Sequence, residues 1–276
     1  MEGAAHAKIN LALHLRGRRA DGYHLIESLV AFTALGDTVA AVPSHELTLS
    51  VSGHFAENVP HGPDNLIVRA ARLLAARRGA TVSLVKDLPV AAGLGGGSAD
   101  AAAAMRLLSR LWDVPLPRLS DTAELGADLP VCVNSVAARV EGIGEFVTEL
   151  PPLPPLSVLL VNPGAMLSTA EVYAAASHPD MPPLPPLPLF QEARELAAWL
   201  QLQRNDLEDP ALRLCPVVAD VLATLRTGSD CLLARMSGSG STCFGLFTTP
   251  AHAAREAERI AASNPSWWVR STYLIE

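Results

Sequence analysis

Residues 93–97 read Gly-Leu-Gly-Gly-Gly, and the chain passes at once into Ser98-Ala99-Asp100 and an alanine-rich run. Glycine gives up more backbone freedom on folding than any other residue, so this density needs a reason. Bare backbone N–H groups followed directly by the partly positive start of a helix make a seat for phosphate. Spacing excludes two familiar phosphate motifs. No lysine follows the glycines as the P-loop requires, and Ser98 stands where the dinucleotide fingerprint needs its third glycine. A plain turn with close helix packing is the other reading of the segment. Ser98 and Asp100 are placed to cap the helix, Ser98 alternatively offering its hydroxyl to phosphate or metal.

Three further segments carry reactive side chains. In "HAKINLALHL", Lys8 and Asn10 alternate with Ile9, Leu11, Leu13 and Leu15, which predicts a strand with Lys8 and Asn10 on one face. A lysine so placed is either solvated or turned toward a site. In "ELGADLPVCV", Asp128 falls where a helix ends and a strand is expected to begin, a junction open to a reacting carboxylate or to a merely solvated one. "MSGSGSTCFG" is a second turn of small residues between apolar strands, compatible with an ordinary hairpin.

The elements that must hold these residues follow from periodicity. "ELTLSVSG" and "TVSLVK" alternate as strands. "PDNLIVRAARLLAARRG" has a helical stripe of Leu66, Ile67, Ala70, Leu73 and Leu74, with Gly79 as its stop. After the glycines, Ala101, Ala104, Met105, Leu108, Leu111 and Trp112 share one helical face. The stiff "PPLPPL" at 151–156 predicts a boundary, giving domains at 1–153 and 154–276. Beyond it come a buried strand "SVLLVNPG" and a helix whose Ser168 and Glu171 form a capping box. A proline-rich surface excursion, "PDMPPLPPLPL", follows, then helices near 190–202 and 216–227. Strands "CLLARM" and "TCFGLF", a helix from Pro250 and a last strand in "WWVRSTYLI" complete the chain. Strands and helices mix without a strict βαβ repeat, which predicts an α+β fold rather than a doubly wound sheet.

Composition narrows the function classes. The chain of 276 residues is 49% hydrophobic and 18% charged, with net charge −7, values of a compact folded protein. No apolar run approaches the roughly 20 residues that cross a bilayer, and "MEGAAHAKIN" lacks signal-peptide character. A cytoplasmic protein without a membrane partner is expected. The basic cluster in "LRGRRADGYH" is short, which speaks against nucleic acid and leaves room for a small anionic substrate. Cys132, Cys215, Cys231 and Cys243 are too scattered for a zinc site or disulfide framework.

Taken in order, the segments resemble the GHMP small-molecule kinases. These share an N-terminal lysine strand, a Pro-x-x-x-Gly-Leu-Gly loop (here Pro89 to Gly95) and a late Ser/Gly turn. "DGYH", "GADLPVCV", "STAEVYA" and "RNDLE" are similar to segments of the branch that acts on cytidine-diphosphate-linked methylerythritol. The resemblance implies two α+β domains, the first like domain 2 of ribosomal protein S5 and the second ferredoxin-like. It implies transfer of the ATP γ-phosphate to the 2-hydroxyl of that small-molecule substrate, in the non-mevalonate route to isoprenoid precursors.

By position, Asp128 becomes the general base and Lys8 its charged companion. Pro89, Val90, Ala91, Ala92, Gly93, Leu94, Gly95, Gly96, Gly97, Ser98 and Ala99 wrap the ATP phosphates. Asn10, Tyr23, His24, Thr169 and Tyr173 contact substrate, with Tyr23, His24 and Tyr173 around the cytosine. Relatives often carry Phe where Tyr173 stands. Gly96 and Gly97 replace the Ser-Ser of the wider family, so no protein metal ligand is assigned and Mg²⁺ is left to ATP phosphates and water. The alternatives are a mevalonate- or homoserine-type kinase of the same family, and a catalytically silent nucleotide-binding sensor.

Overall fold

The computed structural model describes residues 1–176 and 182–275. In chain order the elements begin β1 (Glu2–Arg18), β2 (His24–Pro43), β3 (Leu47–Ser52), α1 (Leu66–Leu74), β4 (Ala80–Val85) and α2 (Gly96–Trp112). They continue α3 (Leu119–Thr122), α4 (Leu129–Asn134), β5 (Ala138–Gly142), β6 (Phe146–Glu149), β7 (Ser157–Asn162) and α5 (Thr169–Ala175). The remainder is α6 (Ala193–Gln201), α7 (Glu208–Leu214), α8 (Val217–Arg226), β8 (Leu233–Met236), β9 (Cys243–Phe247), α9 (Pro250–Ser263) and β10 (Trp268–Tyr273). No helix among the described residues is long and apolar enough to cross a membrane.

Compactness divides the chain discontinuously. One unit holds Met1–Lys8, Leu35–Val90 and Gly95–Ser135; the other holds Ile9–Ala34, Ala91–Leu94 and Val136–Glu276. This differs from a single cut at 153/154 because the long strands β1 and β2 supply residues to both units.

In the first unit β4 pairs in parallel with β3 and antiparallel with the end of β2 (Thr38↔Val85). Alternation works as expected: Ala80, Val82 and Leu84 are buried, while Ser83 and Val85 face outward. Helices α1 and α2 pack together on this sheet. The alanines 101–104 of α2 are buried all round, and small side chains there permit close approach of the backbone. On α1 the buried stripe is Ile67, Val68, Ala70 and Ala71, with Leu73 41% exposed. The helix ends at Leu74, ahead of Gly79. Gly79 serves close packing instead, since a Cβ there would collide with the His45 backbone.

Two sequence expectations fail here. Residues 129–134 are helix α4, not a strand. Val131 and Val133 favour a strand locally, but Pro130 fits a first helical turn, and burial against α2 decides. Neither Ser98 nor Asp100 caps α2: its N-cap is Gly95 with no side-chain bond, and Asp100 turns inward to Lys86. Arg106 of α2 donates to the carbonyls of Cys132 and Val133 at 2.9 and 3.0 Å, satisfying the C-terminal end of α4.

The second unit contains an antiparallel sheet in the order β10-β7-β9-β8. Read along the chain, with helices after β7 and β9, this is the 4-1-3-2 arrangement of the ferredoxin-like fold. All of β7 is buried, and Leu159, Val161 and Phe247 share a core with Val218, Val221, Leu222 and Leu225 of α8 and Ile260 of α9. Ser168 accepts from the Glu171 N–H at 3.4 Å, starting α5 as its sequence predicts. Within this unit the first half of β2 also pairs with β5, and β5 with β6. Residues 177–181, which include the first three of the proline-rich excursion, lie outside the described residues. Further along it, Leu184 is buried, its N–H donating to Glu27 at 2.6 Å.

His14 on β1 is buried, and its Nε2 accepts the Arg204 N–H at 3.1 Å. Burial, then the Arg204 guanidinium, pull its pKa from 6.5 to about 4 against Asp206 and Glu27. The folded chain therefore keeps His14 neutral where the unfolded chain takes a proton. This stability is whole above pH 6.5 and is lost as pH falls toward about 4, by up to about 3 kcal/mol. In thermal melts from pH 7 to 4.5, His14→Gln, which keeps an acceptor, should lose less stability on acidification than the parent chain. Parallel acid curves would remove His14 from this role.

Candidate active site

In the first unit, Lys8 and Asp128 are brought together from positions 120 residues apart, with Nζ to Oδ1 at 2.7 Å. The lysine side chain is 5% exposed and the carboxylate 45%. Lys8 lies near the end of the segment of β1 that belongs to this unit. Asp128 occupies the residue before α4 with helical φ/ψ and makes no capping bond, so its carboxylate is not spent on its own helix. Arg106 fixes the far end of the same helix.

Gly95 lies against this pair. A Cβ there would come 3.1 Å from Lys8 Cε and 3.6 Å from Asp128 Oδ2, and its φ of +61° is a conformation that glycine adopts without cost. Gly95 begins α2, which has no side-chain cap and no acid in its first turn. Around Gly97 nothing lies within 4 Å of where a Cβ would be. An uncapped helix start beside a buried ammonium is an anion seat in its chemistry. Pro89, Leu94 and Ala99 are buried and Gly96 and Ser98 half-buried; Val90 is also half-buried and Ala91 exposed.

In the second unit, the Ala91–Leu94 part of the segment is bolted to the late Ser/Gly turn. Ser237 Oγ donates to the Gly93 carbonyl at 2.7 Å, and the Thr242 N–H to the Ala92 carbonyl at 3.1 Å. A Cβ on Gly93 would collide with the Ser237 carbonyl, so this glycine is required by close packing. The Asn205 amide donates to the carbonyls of Met236 and Gly238, holding the turn from behind. Asn10, expected to touch substrate, donates its side-chain amide to Ser28 at 2.8 Å, and its N–H to Ser237 Oγ at 3.2 Å. Ser237 and Asn205 were not assigned roles from sequence, although "MSGSGS" and "RNDLE" flagged the neighbourhood.

The expected base-binding residues also lie in this unit. The rings of His24 and Tyr173 stand 5.1 Å apart, tilted by 49°. Thr169 and Ser239 share a hydroxyl hydrogen bond of 2.9 Å. Tyr23 is 61% exposed in the turn between β1 and β2, where the Arg19 N–H donates to its carbonyl at 2.7 Å. Tyr23 makes no ring contact with His24 or Tyr173 among the described residues, so the structure pairs two of the three aromatic groups.

Comparison with known proteins identifies the family. The GHMP kinases N terminal domain matches residues 65–140, and the GHMP kinases C terminal domain matches 187–266. The chain is 53% identical to a 4-diphosphocytidyl-2-C-methyl-D-erythritol kinase of Paracoccus denitrificans, covering 98% of this chain and 96% of that one. It is 50% identical to the kinase of the same name from Cereibacter sphaeroides, over 99% of both chains. A crystal structure of 4-(cytidine 5'-diphospho)-2C-methyl-D-erythritol kinase superposes with TM-score 0.79 at 34% identity, covering 100% of each chain. A mevalonate kinase of Methanococcus jannaschii, at 11% identity and TM-score 0.63, shares the fold. An α+β chain with both family domains and full-length relatives of one name is a small-molecule kinase, and it belongs to the GHMP kinases, in their 4-diphosphocytidyl-2-C-methyl-D-erythritol kinase branch.

Proposed function

We propose that the chain transfers the γ-phosphoryl group of ATP to the 2-hydroxyl of 4-diphosphocytidyl-2-C-methyl-D-erythritol, in the cytoplasm, as a step of the non-mevalonate route to isoprenoid precursors. The observation that carries the reading is the Lys8–Asp128 pair lying against Gly95 at the start of α2. The names of the full-length relatives support the choice of acceptor.

Phosphoryl transfer asks a protein for positioning and charge stabilisation more than for covalent chemistry. Asp128 takes the proton of the acceptor hydroxyl as its oxygen attacks the phosphorus. Lys8 holds the carboxylate through Oδ1 and offsets negative charge as it builds. The N–H groups of Gly96, Gly97 and Ser98 open the uncapped turn of α2 toward phosphate oxygens. Gly95 keeps that turn close to the pair, because any Cβ would push Lys8 away. ATP supplies the phosphoryl group, and Mg²⁺, when bound, would offset phosphate charge. Gly96 and Gly97 bring no side-chain ligand to this turn, and we assign the ion to phosphates and water.

On the acceptor side, Tyr23, His24 and Tyr173 recognise the cytosine, with Thr169 and its partner Ser239 supplying hydroxyls. Asn10 is assigned by its place two positions beyond Lys8 on β1. A tilted His24–Tyr173 pair offers one base an edge and a face, and the exposed Tyr23 is able to swing onto it.

Purified protein with Mg-ATP should release ADP with the cytidylyl acceptor and not with mevalonate or homoserine. Equal turnover of those alcohols would move the chain to another branch, and ATP binding without any turnover would make it a sensor. Asp128→Asn should lower kcat about 10²–10⁴-fold while the acceptor KM stays within about threefold. An unchanged kcat removes Asp128 as base. Tyr23→Ala should raise the acceptor KM about tenfold or more, as loss of one stacked ring does, and leave the ATP KM alone. A shift in the ATP KM instead would place Tyr23 on the donor side.

A further inference from the structure

The first unit buries a second charged cluster that the mechanism above does not use. Lys86, at the end of β4, sends Nζ to Asp37 Oδ2 at 2.5 Å and to Asp100 Oδ2 at 2.6 Å. All three side chains are 5% exposed or less. Asp37, on β2, also accepts from the Asp87 and Leu88 N–H groups at 2.6 and 2.8 Å. The Lys86 backbone is clamped as well, its N–H donating to Ser52 and its carbonyl accepting from Phe55. Gly53 has no room for a Cβ, which would lie 2.5 Å from the Lys86 nitrogen.

Above this knot sits the first residue of α2. A Cβ on Gly96 would come 2.9 Å from Lys86 Nζ, so the helix start rests directly on the ammonium. Most helices are fixed at this point by a Ser, Thr, Asp or Asn whose oxygen takes up one of the first N–H groups. In α2 that position is Gly95, and the first acid along the helix, Asp100, points inward to the cluster instead. We infer that Lys86, clasped by Asp37 and Asp100, is a positioning residue for the phosphate donor: it anchors the first turn of α2 from beneath and leaves that turn's N–H groups to the nucleotide. This rests on the ATP-dependent reading above.

Charge balance fits the role. Burial, opposed by Lys86 and assisted by Asp37, raises the Asp100 pKa to about 8, and its buried Oδ1 has no hydrogen-bond partner among the described residues. A proton on Asp100 removes one negative charge from beside the ammonium. Burial pulls the Lys86 ammonium down, but Asp100 and Asp37 outweigh it and its pKa is raised. The cation therefore persists beneath the helix start.

The test measures binding of a non-hydrolysable Mg-ATP analogue by calorimetry with no acceptor present, so that the choice of alcohol does not enter. If the parent chain itself fails to bind the analogue, the ATP reading falls and this inference with it. Lys86→Met/Asp100→Asn removes the cation together with one acid, so no second carboxylate is stranded. With an unchanged circular dichroism spectrum it should bind the analogue at least tenfold more weakly, whereas Asp100→Asn alone, which keeps the ammonium, should stay within threefold. In turnover the double variant should raise the ATP KM at least tenfold and move the acceptor KM less than twofold. Should the double variant not fold, Asp37→Asn, which preserves an oxygen for one backbone donor, should weaken the analogue threefold or more. A folded double variant that binds the analogue like the parent chain, or that loses donor and acceptor equally, overturns the proposal, as does an Asp37→Asn chain that binds like the parent where the double variant does not fold.

Discussion

A lysine ammonium taken out of water must find a carboxylate, and the Lys8–Asp128 contact is the constraint around which the first unit is organised. The cation is buried and the anion is nearly half exposed, so solvent meets the pair at the carboxylate. Glycine at 95 follows from this, since any side chain there would press on Lys8. So does the departure of Asp128 from an ordinary capping role, because a carboxylate bonded to its own helix would have less to offer the ammonium.

The second unit solves a different problem with the same residue type. There the glycines serve contact between two turns: Gly93 lets its segment approach the Ser237 carbonyl, and Ser237 completes the joint with its hydroxyl. Asn205 satisfies two carbonyls of the turn that no strand partner reaches. Thus the segment "AAGLGGG" contains a glycine required by close packing, Gly93, and one, Gly97, where no described neighbour would meet a Cβ.

How much of this was legible in the sequence depends on the range of the cause. Lys8, Asp128 and the glycine segment stood out because their types and order are unusual, and β4, β7, α8 and α9 because period and caps are local signals. Strand β2 went unread: Ser28 to Thr33 are buried on both faces, which erases the alternation that marks a strand. Helix α4 was mistaken for a strand because β-branched residues outvote a short helix locally, and only its packing against α2 restores it. The Asp37–Lys86–Asp100 knot has no local signature, since Asp37 looks like any acid until the fold closes 49 residues of chain back onto Lys86.

Arg106 gives α2 a second duty with a mechanical meaning. One rigid helix presents its bare N-terminal turn and, about three turns along, grips the carbonyl end of α4, whose opposite end carries Asp128. The helix start beside the Lys8–Asp128 pair and the short helix that follows Asp128 are therefore tied through one side chain. Acceptor recognition is assigned to side chains of the second unit, on separate struts. Exchanging the acceptor side chains proposed above leaves the Arg106 tie and the Lys8–Asp128 contact of the first unit untouched.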